Sequence, residues 1–114
     1  MSKKTYIECT DFLLPIRDAL DVINGKWKLQ IITSIWSGNK RFREIERSIP
    51  KITTKVLAKE LKNLEENHLI KRTVYDESPV LIEYTLQPYS KNLSPVIDAL
   101  RDFGINHRRE ILGK

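Results

Sequence analysis

Hydroxyl and basic side chains near residue 54 are the groups in this sequence best suited to bind another molecule. Thr53, Thr54 and Lys55 stand together, and Lys59 and Lys62 follow at spacings of four and three residues. On a helix these spacings place the three lysines along one outer face. The leading end of such a helix can present side chains to base edges in the DNA major groove, with its cations near phosphates. The cluster therefore predicts DNA contacts; a capped, solvated helix is the alternative.

Positive charge is concentrated around this cluster. Between Lys26 and Arg72 the sequence has 12 Lys or Arg and five Glu, a formal charge of +7, and the remaining residues carry −2. A local excess of this kind indicates a polyanionic partner, although a solvated basic face would show the same composition. The predicted contacts with double-stranded DNA are Lys26, Lys28, Arg41, Arg43, Lys51, Thr53, Thr54, Lys55, Lys59, Lys62 and Arg72.

Two pairs of basic residues in this segment are suited to phosphates for different reasons. Lys26 and Lys28 sit at the start of a predicted helix, where free backbone N–H groups already favour an anion such as a phosphate. An ordinary role as surface lysines is nearly as compatible with their position. Lys71 and Arg72 lie on a predicted strand and are suited to phosphate contacts. The acidic Asp76-Glu77 that follows would be repelled by DNA, so the strands rather than the tip should make any such contact.

Enzyme chemistry finds little support in the residue pattern. The histidines, His68 and His107, and the single cysteine, Cys9, fall in three different predicted elements. No spacing resembles a metal site, a glycine-rich phosphate loop or a nucleophile elbow. The sequence therefore predicts no catalytic residue, no metal and no cofactor, and His68 is better suited to end a helix in the left-handed conformation.

Cys9 leaves two interpretations open. It could be a redox-sensing thiol if it is exposed, but the neighbouring Glu8 and Asp11 disfavour a reactive thiolate. An ordinary surface cysteine is the favoured interpretation. A single cysteine forms no intrachain disulfide, no apolar run approaches the roughly 18 residues of a membrane span, and the basic N-terminus lacks a secretory apolar stretch. These features predict a cytoplasmic protein without a membrane partner.

The periodicity of apolar residues predicts a single domain over residues 1–114, with a loose arm at residues 1–12. Helices are expected over residues 15–23, 26–37, 41–48, 53–67 and 90–111, and strands over residues 70–75 and 80–86. Pro15 suits the first turn of the first helix, and Asn24-Gly25 suits its end. In the second helix, apolar positions that include Trp27 and Trp36 span so broad an arc that burial on most sides is expected.

This order of elements predicts the fold class, which is α+β and mainly α. A short helix, a tight turn and a longer helix with a basic outer face form a helix-turn-helix. The hairpin that follows would be the wing of a winged helix-turn-helix. The helices at the two ends of the chain then have apolar residues that such a small core cannot all cover, which predicts a homodimer. The predicted dimer contacts are Ile16, Leu20, Ile23, Leu93, Val96, Ile97, Leu100 and Phe103.

Three motifs, in order, give the chain a resemblance to a known family. They are Gly25-Lys26-Trp27-Lys28, Arg41-Phe42-Arg43-Glu44-Ile45 and Glu83-Tyr84-Thr85-Leu86. Over roughly residues 15–103 the sequence resembles the HxlR family of bacterial transcriptional regulators. The resemblance implies a winged helix, a dimer joined by the terminal helices, and operator binding through the helix that begins near Thr53. The family usually has a cysteine directly before the proline matching Pro15, a position that Leu14 occupies here.

The function expected from these observations is that of a sequence-specific transcriptional regulator that binds double-stranded DNA as a homodimer. The alternative is a winged helix that binds other proteins and not DNA. The basic segment argues against that alternative, because the centres of protein interfaces are usually depleted in lysine. The sequence identifies no small-molecule effector.

Overall fold

The computed structural model describes the backbone of residues 6–113 and the side chains of residues 10–113. Its elements follow the predicted order. They are α1 (Tyr6–Ile23), α2 (Lys28–Trp36), α3 (Phe42–Ser48), α4 (Thr54–Glu66), β1 (Ile70–Tyr75), β2 (Leu81–Leu86), a 3-10 helix (Pro88–Leu93) and α5 (Ser94–Leu112). The 3-10 helix takes up the first residues of the predicted last helix, so that α5 starts at Ser94. The predicted fold class is confirmed.

The core lies between α2, α3 and α4 and is closed by the first residues of the wing. Each of the three helices contributes an apolar stripe at spacings of three and four residues. The fully buried side chains of this core are Ile31, Ile45, Leu57, Leu61, Leu64, Leu69 and Ile70. Trp36 departs from the prediction, because it is 77% exposed although it was expected on the buried arc of α2.

Two residues in the left-handed backbone region end helices where the sequence predicted. Gly25, with φ of +89°, follows the end of α1, and glycine adopts this conformation without a Cβ penalty. His68, with φ of +63°, follows α4, and the N–H of Leu69 then donates to the carbonyl of Leu64 at 3.0 Å. These two turns set the directions of α2 and of β1.

The wing is a two-stranded antiparallel hairpin. Its register pairs Ile70 with Leu86 at the base and Tyr75 with Leu81 near the tip. The N–H of Tyr84 donates to the carbonyl of Lys40 at 2.7 Å, which attaches β2 to the loop before α3. The hairpin is therefore anchored to the helices at its base, while Val74 and Tyr75 near its tip are exposed.

The terminal helices extend away from this core. The radius of gyration is 17.4 Å, compared with about 13 Å for a compact domain of this length. Helix α1 begins at Tyr6, which corrects the loose arm predicted for residues 1–12: residues 6–12 are helical, and residues 1–5 lie outside the described part. Pro15 consequently lies inside α1 and not in its first turn. No residue of α5 is buried.

The residues predicted to make dimer contacts divide into two groups. Ile23 is buried within the single chain, and Leu93 packs against its core, so neither presents its side chain outward as predicted. Ile97 is half-buried. The others are exposed apolar side chains of α1 and α5: Ile16, Leu20, Val96, Leu100 and Phe103.

Candidate nucleic-acid interface

Helix α4 has two opposite faces. Leu57, Leu61 and Leu64 are buried against the core. The outer face is exposed and includes four of the predicted contacts, namely Thr54, Lys55, Lys59 and Lys62. Because the apolar stripe fixes the rotation of the helix, this hydroxyl and these ammonium groups must face solvent.

Thr53 stands directly before α4 and caps it. Its backbone is extended, with φ of −91° and ψ of 157°, and its Oγ1 accepts a hydrogen bond from the N–H of Val56 at 3.2 Å. This satisfies one of the free N–H groups in the first turn. Thr53 therefore defines where α4 begins, in addition to lying at the predicted interface.

Thr54, the first residue of α4, is joined to α3 through a carboxylate. Its Oγ1 donates to Glu46 Oε2 at 2.5 Å, and Arg43 Nη1 donates to the other oxygen, Oε1, at 2.8 Å. The carboxylate of Glu46 thus joins Arg43 of α3 to Thr54 of α4 across the turn between the two helices. Arg43 remains 69% exposed at its side chain and keeps further N–H donors for another partner.

The hydrogen bond from Thr54, and then the one from Arg43, holds the pKa of Glu46 below its ordinary value. Glu46 is therefore ionised at neutral pH and acts only as an acceptor. Sequence reasoning missed this residue. The available signal was an acidic residue inside a segment that is basic overall, but nothing in the spacing of residues 46 and 54 indicated that they meet.

The loops on either side of α3 add exposed basic side chains. Arg41 precedes the helix, and Lys51 lies in the turn between α3 and α4 with φ of +69°. The N–H groups of Lys40 and Arg41 donate to Glu44 Oε1 at 3.0 and 3.1 Å. These bonds, the one from Arg41 first, lower the pKa of Glu44 and secure the first turn of α3. Arg41 and Arg43 thus lie at the start of α3 and Lys51 follows its end, and Arg43 is linked to the start of α4 through Glu46.

Lys28 is not part of this exposed surface. Its Nζ lies 2.8 Å from Glu60 Oε2, and the two side chains are only 11% and 16% exposed. The ion pair joins the first turn of α2 to the middle of α4. The structure therefore corrects the predicted phosphate contact of Lys28, whose charge is already neutralised between two helices. Lys26 is exposed, and its Nζ lies 4.8 Å from the centre of the Trp27 ring.

The wing presents basic residues along β1. Lys71 and Arg72 are both exposed, and as successive strand residues they point to opposite faces of the hairpin. Arg72 pairs with Tyr84 in the register, close to the anchored base. Asp76 and Glu77 lie beyond β1 at the exposed tip. Any contact of the wing with a polyanion would use β1 and not the tip.

Comparison with known proteins identifies the family. A model of the HxlR-like helix-turn-helix matches residues 22–111, which include α2 to α4, the wing and nearly all of α5. The chain belongs to this HxlR-like family. The resemblance inferred from the three sequence motifs is therefore confirmed.

Relatives of this HxlR-like protein are similar over most of their length. The HTH-type transcriptional regulator YtcD of Bacillus subtilis is 36% identical over 113 residues, covering 99% of this chain and 85% of that protein. An HTH-type transcriptional regulator of Methanothermobacter thermautotrophicus is 40% identical over 94 residues, covering 82% of this chain and 72% of that protein. The solved structure of the redox regulator HypR in its reduced form has a TM-score of 0.76 at 34% identity, covering 87% of this chain and 97% of that one.

Three remaining expectations concern other features of this HxlR-like chain. The side chain of Cys9 lies outside the described residues, so its sensing role stays an open interpretation. Within the described residues, no three side chains of His, Cys, Asp or Glu come together as a metal site. None of the described helices has the length and hydropathy needed to cross a membrane.

Proposed function

We propose that this protein binds double-stranded DNA in a sequence-specific manner through α3 and α4 and thereby regulates transcription. The observation that carries the proposal is the outer face of α4. It presents Thr54, Lys55, Lys59 and Lys62 to solvent, and Thr54 shares the carboxylate of Glu46 with Arg43 of α3. A helix with this surface fits the major groove, and the neighbouring cations suit the phosphates on either side.

The proposed contacts differ from the predicted set at one residue. Lys28 is left out because Glu60 binds it. The contacts that we propose are Lys26, Arg41, Arg43, Lys51, Thr53, Thr54, Lys55, Lys59, Lys62 and Arg72. The lysines and arginines would supply mainly phosphate contacts, which position the protein, whereas the leading end of α4 would read base edges.

We further propose a homodimer formed by α1 and α5. Phe12, Leu13, Leu14 and Leu20 on α1 and Phe103 on α5 are large apolar side chains that a single chain leaves exposed. Large apolar side chains exposed together along a helix are typical of an interaction surface, and a two-fold dimer would cover them. Such a dimer would place two α4 helices about 34 Å apart, or a multiple of that distance, to match successive turns of DNA.

The remaining parts of the proposal rest on the sequence and not on this surface. The protein acts by binding and not by catalysis, in the cytoplasm, as one domain over residues 1–114. It requires no cofactor. A small-molecule effector is not assigned. A winged helix that binds only other proteins would have no need of this cationic face and is tested by the same experiment.

The decisive experiment measures duplex affinity at several salt concentrations by fluorescence anisotropy, using a sequence selected from random DNA. Several phosphate contacts per subunit predict a fall of about 10³-fold or more between 50 and 200 mM salt for a dimer. Lys59→Ala should reduce the slope of log affinity against log salt by about two for a dimer, one for each subunit. Lys91→Ala, an exposed lysine of the 3-10 helix, is the matched control and should leave the slope unchanged. Absence of duplex binding, or an affinity independent of salt, would refute the proposal.

A further inference from the structure

The contact between Glu46 and Thr54 restricts what the first residue of α4 can offer to DNA. A threonine hydroxyl has one O–H donor and two acceptor lone pairs. An ionised carboxylate can only accept, so the hydrogen in the 2.5 Å contact must belong to Thr54 Oγ1 and point at Glu46 Oε2. While this bond is made, the outward side of Thr54 has acceptor lone pairs and a methyl group, but no donor.

Arg43 holds the carboxylate of Glu46 in the orientation that directs Oε2 toward Thr54. Its Nη1 donates to Glu46 Oε1 at 2.8 Å, on the oxygen that Thr54 does not use. With each oxygen bound to a different donor, rotation of the carboxylate would break two hydrogen bonds, both assisted by charge. The low pKa of Glu46 keeps the group ionised and therefore acceptor-only. Thr54 is exposed, so its lone pairs are accessible to a base.

The major groove offers only two hydrogen-bond donors for such an acceptor. They are the N6 amino group of adenine and the N4 amino group of cytosine, whereas guanine N7 and O6 and thymine O4 are acceptors. We propose that Glu46 and Thr54 form a specificity-determining pair in which Thr54 accepts a hydrogen bond from adenine or cytosine at one position of each half-site. This inference rests on the proposed function, because it requires the start of α4 to enter the major groove.

Glu46 is a positioning residue in this proposal, since it acts through Thr54. Its replacement by glutamine tests the direction of the hydrogen bond. Arg43 offers donors, so it would bind the oxygen of the new side-chain amide and turn the amide N–H₂ group toward Thr54. Thr54 would then accept from the amide, and its own O–H would be released for guanine or thymine. Glu46→Gln should therefore change which base is preferred and not merely weaken binding.

The experiment is selection of bound sequences from a random duplex library, followed by affinity measurements on single-base variants of the best site. The wild type should prefer adenine or cytosine at one half-site position. Thr54→Val keeps the branched shape but removes the oxygen, and should reduce that preference by roughly three- to tenfold, the value of one hydrogen bond. Glu46→Gln should shift the preference at the same position to guanine or thymine. Glu65→Gln makes the same change of charge at a residue about 16 Å along α4 from Thr54, and it should leave that preference unchanged.

The results separate this inference from the proposed function. A wild type that binds no duplex would refute both. A wild type that selects a sequence would uphold DNA reading, but a preference for guanine or thymine at the position altered by Thr54→Val would overturn the pairing of Glu46 with Thr54. A Thr54→Val variant with the same base preference as the wild type at every position would also overturn this pairing. If thermal unfolding shows that Glu46→Gln is unfolded, the wild type and Thr54→Val alone decide between these outcomes.

Discussion

Removing the ammonium group of Lys28 should destabilise the fold and leave the DNA-binding surface in place. Lys28→Ala would leave Glu60 Oε2 with its charge in a site where the side chain is only 16% exposed. The ion pair is the one polar contact of this buried oxygen within the described residues. Loss of one partner of a fully buried pair typically costs about 3–5 kcal/mol, because the other charge stays uncompensated.

The magnitude expected here lies below that range. Both side chains retain some contact with water, and Glu60 can turn toward solvent once Lys28 is gone, so we expect a loss of about 2–3 kcal/mol in the free energy of unfolding. A domain of this size is stable by about 5–15 kcal/mol. With a urea m-value of about 2 kcal/mol/M, the denaturation midpoint should fall by roughly 1–1.5 M.

Urea denaturation followed by circular dichroism measures this change directly. Lys91→Ala, an exposed lysine outside the ion pair, should stay within about 0.5 kcal/mol of the wild type. The double variant Lys28→Met/Glu60→Leu should recover much of the loss, because two apolar side chains leave no uncompensated charge. At a temperature where Lys28→Ala is folded, its salt slope for duplex binding should equal that of the wild type. A stability change below about 0.5 kcal/mol together with an equal loss of affinity for all duplexes would refute the reasoning and restore Lys28 as a phosphate contact.

Three further predictions concern a cap, a titration and the dimer. Thr53→Ala removes the acceptor for the Val56 N–H and should cost about 1 kcal/mol of unfolding free energy, whereas Thr53→Ser should cost little. The folded-state pKa of Glu44 is lowered, so its contribution to stability is present at neutral pH and is lost as the pH falls through that pKa. The difference in unfolding free energy between the wild type and Glu44→Gln should therefore shrink when it is measured at successively lower pH. Phe103 is 68% exposed, and Phe103→Ala should weaken dimerisation by about 2 kcal/mol or more in sedimentation equilibrium, while a wild type that is monomeric at micromolar concentration would contradict the dimer.

Local patterns in the sequence predicted most of the fold. The apolar stripe of α4 indicated its length and its outer face, and Gly25 and His68 marked two helix ends because their left-handed conformations suit these residue types. The start of α1 was not predicted, because Pro15 was interpreted as a first-turn residue although a proline can also lie inside a helix. The burial expected for Trp36 was wrong. Periodicity shows which residues share a helix face, but it does not show which of them the core reaches.

The errors at the candidate site have a common cause. Lys28 and Glu60 are 32 residues apart in sequence, and Glu46 and Thr54 belong to different helices, so neither contact leaves a periodic signal. A count of basic residues treats every lysine and arginine as available to a phosphate. Two glutamates inside the segment reduce the positive charge available to phosphates. Glu60 neutralises Lys28, and Glu46 occupies the Nη1 group of Arg43.

On the proposed interface, affinity and specificity should come from different residues. Phosphate contacts give a binding energy that depends on salt and is the same for every sequence. That energy must come from exposed cations such as Lys55 and Lys59, for which the structure shows no acidic partner among the described residues. Thr54 is uncharged and is oriented by Glu46, so its contribution should depend on the base and not on salt. Thr54→Val should therefore alter the ranking of sites at an unchanged salt slope, whereas Lys59→Ala should alter the slope and keep the ranking.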